Sequence, residues 1–531
     1  MSFNRVDRSI FGVSIGLIVL VSLPLALYPK EGESFVKAVL AFVSNTFGSL
    51  YLIGGLATVL FLMWISFSRF GNIRLGKGAP EFSAFSWTSM VFSAGIGTGV
   101  LYWGAVEWAY HIQSPPMGMT PRSNSAIEMA GAYGIFHWGI TGWAFFALAT
   151  LPIAYCYYLR KRYVYRISEA CRGLLGDWVD GPVGKAIDIF FVLGLLAAAG
   201  TSLGLGTPLI AACMHYLFGF ERGIGLNIAI ISIVTGLFAW SVCYRLDRGI
   251  KKSSDWSVIL ALLLLAYVFV VGPTQFIMDM SVTSVGLMMQ EFVHMSTWAD
   301  PVGRSGFPQS WTVFYWAWWL VLAPALGLFV TRISRGRTLR QVILGMLFYG
   351  SSGCALFYMI LGNYALNLEL TGALNVTGLI KEVGAEQAIV QVVGTLPGGK
   401  WVVAAFAIVA VIFLATLFNS KSYILASTTI DRLVEGEEPP RSQRLIWAVA
   451  LSLLPIALMV VGGLESLQIA ATVGALPILF ILLIMTLSFL RQLRMDEPRL
   501  KQFDYVSIGL EEEQYVVPPP EISSNVRTEV V

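Results

Sequence analysis

The sequence predicts an all-helical integral membrane protein of twelve transmembrane spans, and three observations carry that prediction. Hydrophobic residues make up 56% of the 531 positions and charged residues only 13%, about half the ~25% usual in a soluble domain. Apolar stretches long enough to cross ~30 Å of hydrocarbon recur along the chain. The basic residues, finally, sort onto alternate connections, as the positive-inside rule requires.

The spans fall at about 9–29, 49–69, 87–110, 129–158, 186–218, 224–243, 256–275, 307–331, 341–366, 400–426, 445–464 and 466–490. Arg5 and Arg8 precede the first one. No small-x-small cleavage site follows it, so it reads as a span and not as a removable signal. Shorter amphipathic pieces near 34–47, 278–296 and 376–394 read as surface helices. With both termini on the inner side, 27 of the 35 Lys and Arg fall on inner loops and tails. Seven fall outside (Lys30, Lys37, Arg122, Arg222, Arg304, Lys381, Lys400), and Lys421 lies within a span. An odd number of spans would scramble this bias. Residues 1–490 thus form one twelve-span membrane domain, with core stretches at about 87–275 and 307–490. Residues 491–531 turn polar, contain Pro518-Pro-Pro520 and read as a cytoplasmic, disordered tail.

A net charge of +3 is too small for a nucleic-acid surface. The five cysteines (Cys156, Cys171, Cys213, Cys243, Cys354) lie in or beside apolar spans, and none pair at CxxC spacing. The four histidines (His111, His137, His215, His294) show no ligand spacing. With no carboxylate cluster expected to face them, neither a metal nor a haem cofactor is predicted. That weighs against a polytopic membrane enzyme, and no repeated pore motif argues for a channel.

The third span opens Phe92-Ser-Ala-Gly-Ile-Gly-Thr-Gly-Val100, with glycines at 95, 97 and 99. Glycine costs ~1 kcal/mol per helical position relative to alanine, so three in five residues invite a break. Broken helices at mid-depth are where secondary transporters bind substrates and coupling ions. Close helix packing through small residues is the competing reading. Tyr102, Trp103, Glu107, Trp108 and Tyr110 follow, and Trp103 and Trp108 read as an interfacial belt. Trp138, in Phe136-His-Trp-Gly139, lies deeper and has the better claim to a pocket.

The eighth span holds Trp311-Thr-Val-Phe-Tyr-Trp-Ala-Trp-Trp-Leu-Val-Leu322, four of the sixteen tryptophans. Trp311, Tyr315, Trp318 or Trp319, and Leu322 share one helical face, while Trp316 looks elsewhere. Such a face suits a cation that carries no hydrogen-bond donor, held by cation–π attraction. Aromatic packing between helices is the bland alternative. Pro324 is expected to interrupt this helix. In the tenth span, Lys421 reads first as a side chain snorkelling to the inner surface, and second as a fixed charge near a cation site.

These motifs together resemble the betaine/carnitine/choline transporter family. The likeness rests on Gly306-Phe-Pro-Gln-Ser-Trp-Thr-Val-Phe-Tyr-Trp-Ala-Trp-Trp319 followed by Arg332-Ile-Ser-Arg-Gly-Arg-Thr338. It extends to Ala94-Gly-Ile-Gly-Thr-Gly99, Tyr102-Trp-Gly-Ala-Val-Glu107, Phe136-His-Trp-Gly139 and Gly204-Leu-Gly-Thr-Pro208. It covers nearly all of residues 5–490 and looks nearest to the carnitine transporters. The resemblance implies a homotrimeric, non-enzymatic carrier in the cell inner membrane, with two inverted five-helix repeats (spans 3–7 and 8–12). Its substrates would be trimethylammonium zwitterions of the carnitine, butyrobetaine or glycine betaine type. The implied pocket is Tyr110, Trp138, Trp318 and Trp319, with Trp316 matching a transport-path aromatic. A sodium-coupled choline or betaine symporter for osmoprotection is the alternative.

Departures from the family pattern are expected to matter. Leu322 stands where an aromatic is usual, and Leu326 where carnitine carriers have methionine, so the cage is expected to be more open on one side. The family's cation-site region maps onto Gly95, Ile96, Gly97 and Thr416. The second hydroxyl position there is Leu417, and Ser257 stands where sodium-independent exchangers carry an arginine. Lys421 is a candidate to replace the ion. Exchange or proton-coupled uptake is therefore expected ahead of sodium symport.

Overall fold

A computed structural model of the chain describes residues 7–27, 29–243, 249–430 and 439–502. Among the described residues the regular elements are helices, and Arg74 and Thr338 pair in an isolated bridge. The chain runs through α1 (Arg8–Leu27), α2 (Pro29–Phe67), α3 (Ala84–Ile96), α4 (Gly99–Gln113), α5 (Asn124–His137) and α6 (Ile140–Tyr158). Short α7 (Ile167–Ala170) and α8 (Arg172–Leu175) lead to α9 (Pro182–Phe218), α10 (Ile224–Cys243), α11 (Gly249–Val271) and α12 (Thr274–Thr297). Next come α13 (Phe314–Ile333), α14 (Leu339–Gly345), α15 (Ser351–Phe357) and α16 (Asn363–Leu370). The chain closes with α17 (Val376–Val383), α18 (Ala385–Gly394), α19 (Gly399–Thr428) and α20 (Arg441–Gln502).

Among the described residues, eight helices are long and apolar enough to cross a membrane, and nine if the α3–α4 pair counts as one bent span. Nine predicted spans correspond to these. The other three, 9–29, 224–243 and 445–464, lie in α1, α10 and the first half of α20, and each falls partly outside the residues whose side chains are described.

The helix ends follow local chemistry. Ser83 caps α3 by accepting the Ser86 N–H, and Gly97 ends that helix at φ +56°. A side chain at that φ would be strained, and a Cβ would also run into Leu417 of α19. The chain therefore breaks there, and α3 and α4 meet at 63°. Ser123 caps α5 through the Ala126 N–H, and Thr338 with Gln341 forms a capping box on α14. The arginine segment after α13 has a structural task. Arg337 donates to the Phe82 carbonyl at 2.8 Å and lies 4.8 Å from the Trp87 ring centre, and Trp87 Nε1 donates to Ser334 Oγ at 2.9 Å. These contacts clamp the start of α3 to the end of α13.

Three expectations are corrected. Pro324 does not interrupt its helix, because α13 runs unbroken from Phe314 to Ile333. Every neighbour of the proline within that helix is buried in protein, which keeps a helix with one missing bond in place. The interruption lies earlier, as a π-helical turn at Gln309–Val313. Second, spans 445–464 and 466–490 share one helical element, α20, which runs through the boundary placed between them. Third, α20 continues past 490 to Gln502, because Leu493 and Leu500 are buried and Asp496 accepts a hydrogen bond from Tyr155 and pairs with Arg160 at 2.9 Å. The predicted tail from 503 to 531 lies outside the described residues.

Candidate functional site

Helix α13 is wedged along α6, α9 and α20, with all but Arg332 of its residues from Phe314 to Ile333 buried. The α5–α6 turn at Trp138-Gly139 meets it from one side, and the α3–α4 break meets it from another. At this junction Trp138 sets its ring 5.5 Å from Trp318 and 5.7 Å from Trp319, both nearly edge to face. Trp319 Nε1 is held by the His137 carbonyl at 3.1 Å. Gly99 supplies the floor: a Cβ there would lie 2.8 Å from Trp318 and 2.9 Å from Trp138. Three of the five predicted substrate-binding residues therefore converge around the glycine break.

The other two do not join them. Tyr110 lies about three turns further along α4, with Trp103 at 6.0 Å and Trp311 at 5.7 Å, in a second aromatic tier beyond the cage. Trp316 turns away, toward Phe136 at 5.3 Å, Phe145 at 6.1 Å and Gly55 of α2. Its position in the heptad-like spacing puts it on the scaffold face of α13. Trp103 and Trp108 are not a lipid belt either. Both are 5% exposed, because α4 is packed inside the protein over nearly its whole length.

The cation-site residues gather around the same break. Ser257 of α11 lies 3.1 Å from Ser93 of α3, hydroxyl to hydroxyl. Leu417 fills the space beneath Gly97, and Ile96 is buried beside it. The Thr416 hydroxyl turns back to the Ile412 carbonyl at 2.8 Å. Lys421 does not snorkel: it is 3% exposed, and its Nζ has no hydrogen-bond partner among the described residues. It lines a small cavity with Ala94, Gly95, Phe146, Leu322 and Leu326. The side on which the cage was expected to open, at Leu322 and Leu326, is the side where this cavity lies.

Sequence reasoning missed a buried polar network behind the cage. Glu107 Oε2 accepts the hydroxyls of Tyr315 at 2.6 Å and Tyr358 at 2.5 Å. Glu107 Oε1 lies 3.1 Å from His111 Nε2 and 2.9 Å from His137 Nδ1. A carboxylate only accepts, so these nitrogens carry the hydrogens, and His137 Nε2 pairs with Thr312 Oγ1 at 3.2 Å, accepting when the imidazole is neutral. A carboxylate does face two histidines, against the expectation. The ligand atoms of Glu107, His111 and His137 lie within 4.8 Å of one another, a spacing a divalent ion could use. Each carboxylate oxygen already meets two donors, however, which is the arrangement of a saturated hydrogen-bond hub. The available signal was the four-residue spacing of Glu107 and His111. Tyr358 was legible only from the fold, since 220 residues separate it from Trp138 in sequence.

The hub bears on the cage directly. Trp138 lies 5.8 Å from Tyr315 and 6.1 Å from Tyr358, so pinning the two phenols fixes what the indole rests on. Gly99→Ala is expected to push the Trp138 and Trp318 rings apart, as overpacking by one methyl group does. Binding of a trimethylammonium ligand, read by tryptophan fluorescence, should weaken roughly tenfold, a ~1.4 kcal/mol effect. An unchanged affinity would show that Gly99 is not the floor of the site.

Residues 9–498 match the family described as BCCT, betaine/carnitine/choline family transporter. An uncharacterized transporter, YeaV, of Escherichia coli (strain K12) is 35% identical over 471 residues, covering 88% of this chain and 96% of that protein. A carnitine transporter of Acinetobacter baumannii is 34% identical over 507 residues, covering 94% of this chain and 92% of that one. A solved structure of a Na+-coupled sialic acid symporter in a substrate-bound outward-open state aligns with 89% of this chain and 84% of its own, at 13% identity and a TM-score of 0.43. The family and these relatives are transporters, not enzymes. A family match over residues 9–498, with two relatives above 30% identity along almost their whole lengths, leaves one assignment: the chain belongs to the betaine/carnitine/choline transporter family.

Proposed function

We propose that this secondary transporter moves a trimethylammonium zwitterion of the carnitine, butyrobetaine or glycine betaine type across the cell inner membrane by alternating access. The observation that carries the reading is the convergence of Trp138, Trp318 and Trp319 at the glycine break. A quaternary ammonium has no N–H to donate and binds through its methyl-sheathed positive charge, which indole faces attract. A broken helix beside the cage offers backbone groups freed from the helix ladder.

The finer architecture belongs to the same proposal: twelve spans, both termini cytoplasmic, two inverted five-helix repeats and a homotrimer. Support comes from the interruption near the start of each proposed repeat, at Gly97 in one and at the π-helical turn Gln309–Val313 in the other. Exchange or proton-coupled uptake stands ahead of sodium symport. Leu417 occupies the space under Gly97, the Thr416 hydroxyl is engaged within its own helix, and Lys421 places a fixed ammonium nearby.

Uptake of radiolabelled carnitine, γ-butyrobetaine, glycine betaine and choline into proteoliposomes tests this. Uptake of at least one zwitterion against an internal pool of the same class, unchanged by sodium, is the expected result. Dependence on external sodium at fixed membrane potential would overturn the coupling. Failure of both carnitine and glycine betaine to quench the tryptophans would overturn the cage.

A further inference from the structure

We infer that Lys421 is the carboxylate-binding group of this carrier, and that its position selects zwitterions with a four-carbon chain over glycine betaine. The inference rests on the trimethylammonium reading proposed above.

Lys421 lies inside the protein, 3% exposed, as one of the residues that line the small cavity, and its Nζ has no hydrogen-bond partner among the described residues. A lone ammonium in an apolar interior is costly unless an anion meets it. Among the described residues no carboxylate lines the cavity: beyond Lys421 and Ser420 its walls are apolar, from Ala94 and Gly95 to Phe329 and Ile424. The Ser420 hydroxyl is already committed to the Thr416 carbonyl at 3.1 Å. The missing anion is supplied by the substrate.

Three continuities place this cavity directly below the cage. Leu322 lines it and lies one turn after Trp318 on α13. Phe146 lines it and touches the cage wall, its ring 4.8 Å from Trp319. Gly95 lines it on one side of the Gly97 break, while Gly99 floors the cage on the other. In this conformation the cavity holds about one water. The wall toward the cage is aliphatic, Leu322 and Leu326, and rotamer changes there join the two compartments.

The step from the Trp318 level to the Leu322 level is one helical turn, roughly 6 Å. A zwitterion with four bonds between nitrogen and carboxylate carbon spans roughly 5 Å, and one with two bonds roughly 2.5 Å, because an extended zigzag of ~1.5 Å bonds advances about 1.25 Å per bond. The longer molecule reaches the amine with its head group in the cage, and the shorter does not.

The test is tryptophan-fluorescence titration of the purified transporter with γ-butyrobetaine, its methyl ester, glycine betaine and choline. Lys421→Met removes the charge while keeping length. Because the ammonium has no partner to orphan, this variant is expected to fold, and Lys421→Arg serves as the charge-retaining control. The parent should favour γ-butyrobetaine over its ester and over glycine betaine. Lys421→Met should lose roughly tenfold of affinity for γ-butyrobetaine, the scale of one charged hydrogen bond. Its affinity for choline and for the ester should be unchanged, and Lys421→Arg should keep the preference. Equal losses for all four ligands would make Lys421 structural, and an unchanged γ-butyrobetaine affinity would place the carboxylate elsewhere. Either result overturns the inference while leaving the cage intact. A parent that binds no trimethylammonium compound overturns both.

Discussion

Trp318→Ala is expected to weaken trimethylammonium binding roughly 30-fold, and the double variant Trp138→Ala/Trp318→Ala by up to about a thousandfold. A well-placed indole face on a desolvated cation contributes about 2 kcal/mol, and each 1.4 kcal/mol is a factor of ten. The two rings touch, 5.5 Å between centres, so their effects should couple and the double variant should fall short of the product. Trp318→Phe keeps a smaller face and should lose less than Trp318→Ala. Trp316→Ala separates charge recognition from packing. Trp316 is fully buried on the opposite face of α13, among Phe136, Phe145 and Gly55. Its loss should lower thermal stability in detergent while leaving ligand affinity of the folded fraction near that of the parent. Thermal unfolding reads the first quantity, and isothermal titration with choline and γ-butyrobetaine reads the second. If Trp316→Ala abolished binding and Trp318→Ala did not, the cage would be on the other side of the helix.

Much of this arrangement was legible in the residues themselves, for a physical reason. A membrane leaves few options for backbone hydrogen bonds, so apolar length and basic loops report the helices directly. Glycines 95, 97 and 99 announced the α3–α4 break, because a helix interior tolerates them poorly. Spacing along α13 set Trp318 on the face of Trp311, Tyr315 and Leu322, but the resemblance still counted Trp316 among the binding residues, and only its packing on Phe136 and Phe145 takes it out. Partners from distant helices could not be read that way. Glu107, His137, Tyr315 and Tyr358 meet across four elements, and no local pattern encodes such a meeting. Lys421 went astray for a related reason. A lysine near a span end usually reaches the surface, and only its neighbours show that this one faces a cavity. Trp103 and Trp108 were misplaced by the same habit, because depth along a span says nothing about which helices surround it.

Removing the Glu107 carboxylate should be among the most damaging single changes to the folded protein. The side chain is fully buried and accepts from Tyr315, Tyr358, His111 and His137. Glu107→Ala strands four buried donors, and each stranded group costs ~1–3 kcal/mol. The sum, on the order of 4 kcal/mol or more, is a large part of the 5–15 kcal/mol by which proteins are commonly stable. Glu107→Gln keeps the shape and one acceptor oxygen. Tyrosine hydroxyls can rotate to accept from its amide, so it should fold with a smaller loss. Tyr315→Phe and Tyr358→Phe each remove one donor along with its demand, and should cost about 1 kcal/mol apiece. Thermal unfolding of purified variants, followed by size-exclusion chromatography, ranks them: Ala well below Gln, and Gln below the two Phe variants. Ligand titration of the Gln variant adds a reading that stability alone would not move. If the hub positions Trp138 through Tyr315 and Tyr358, affinity for choline and for γ-butyrobetaine should fall together, because the cage is loosened and the carboxylate end is untouched. A Glu107→Ala protein as stable as the parent would refute the hub, and a Gln variant with unaltered affinity would confine its role to folding.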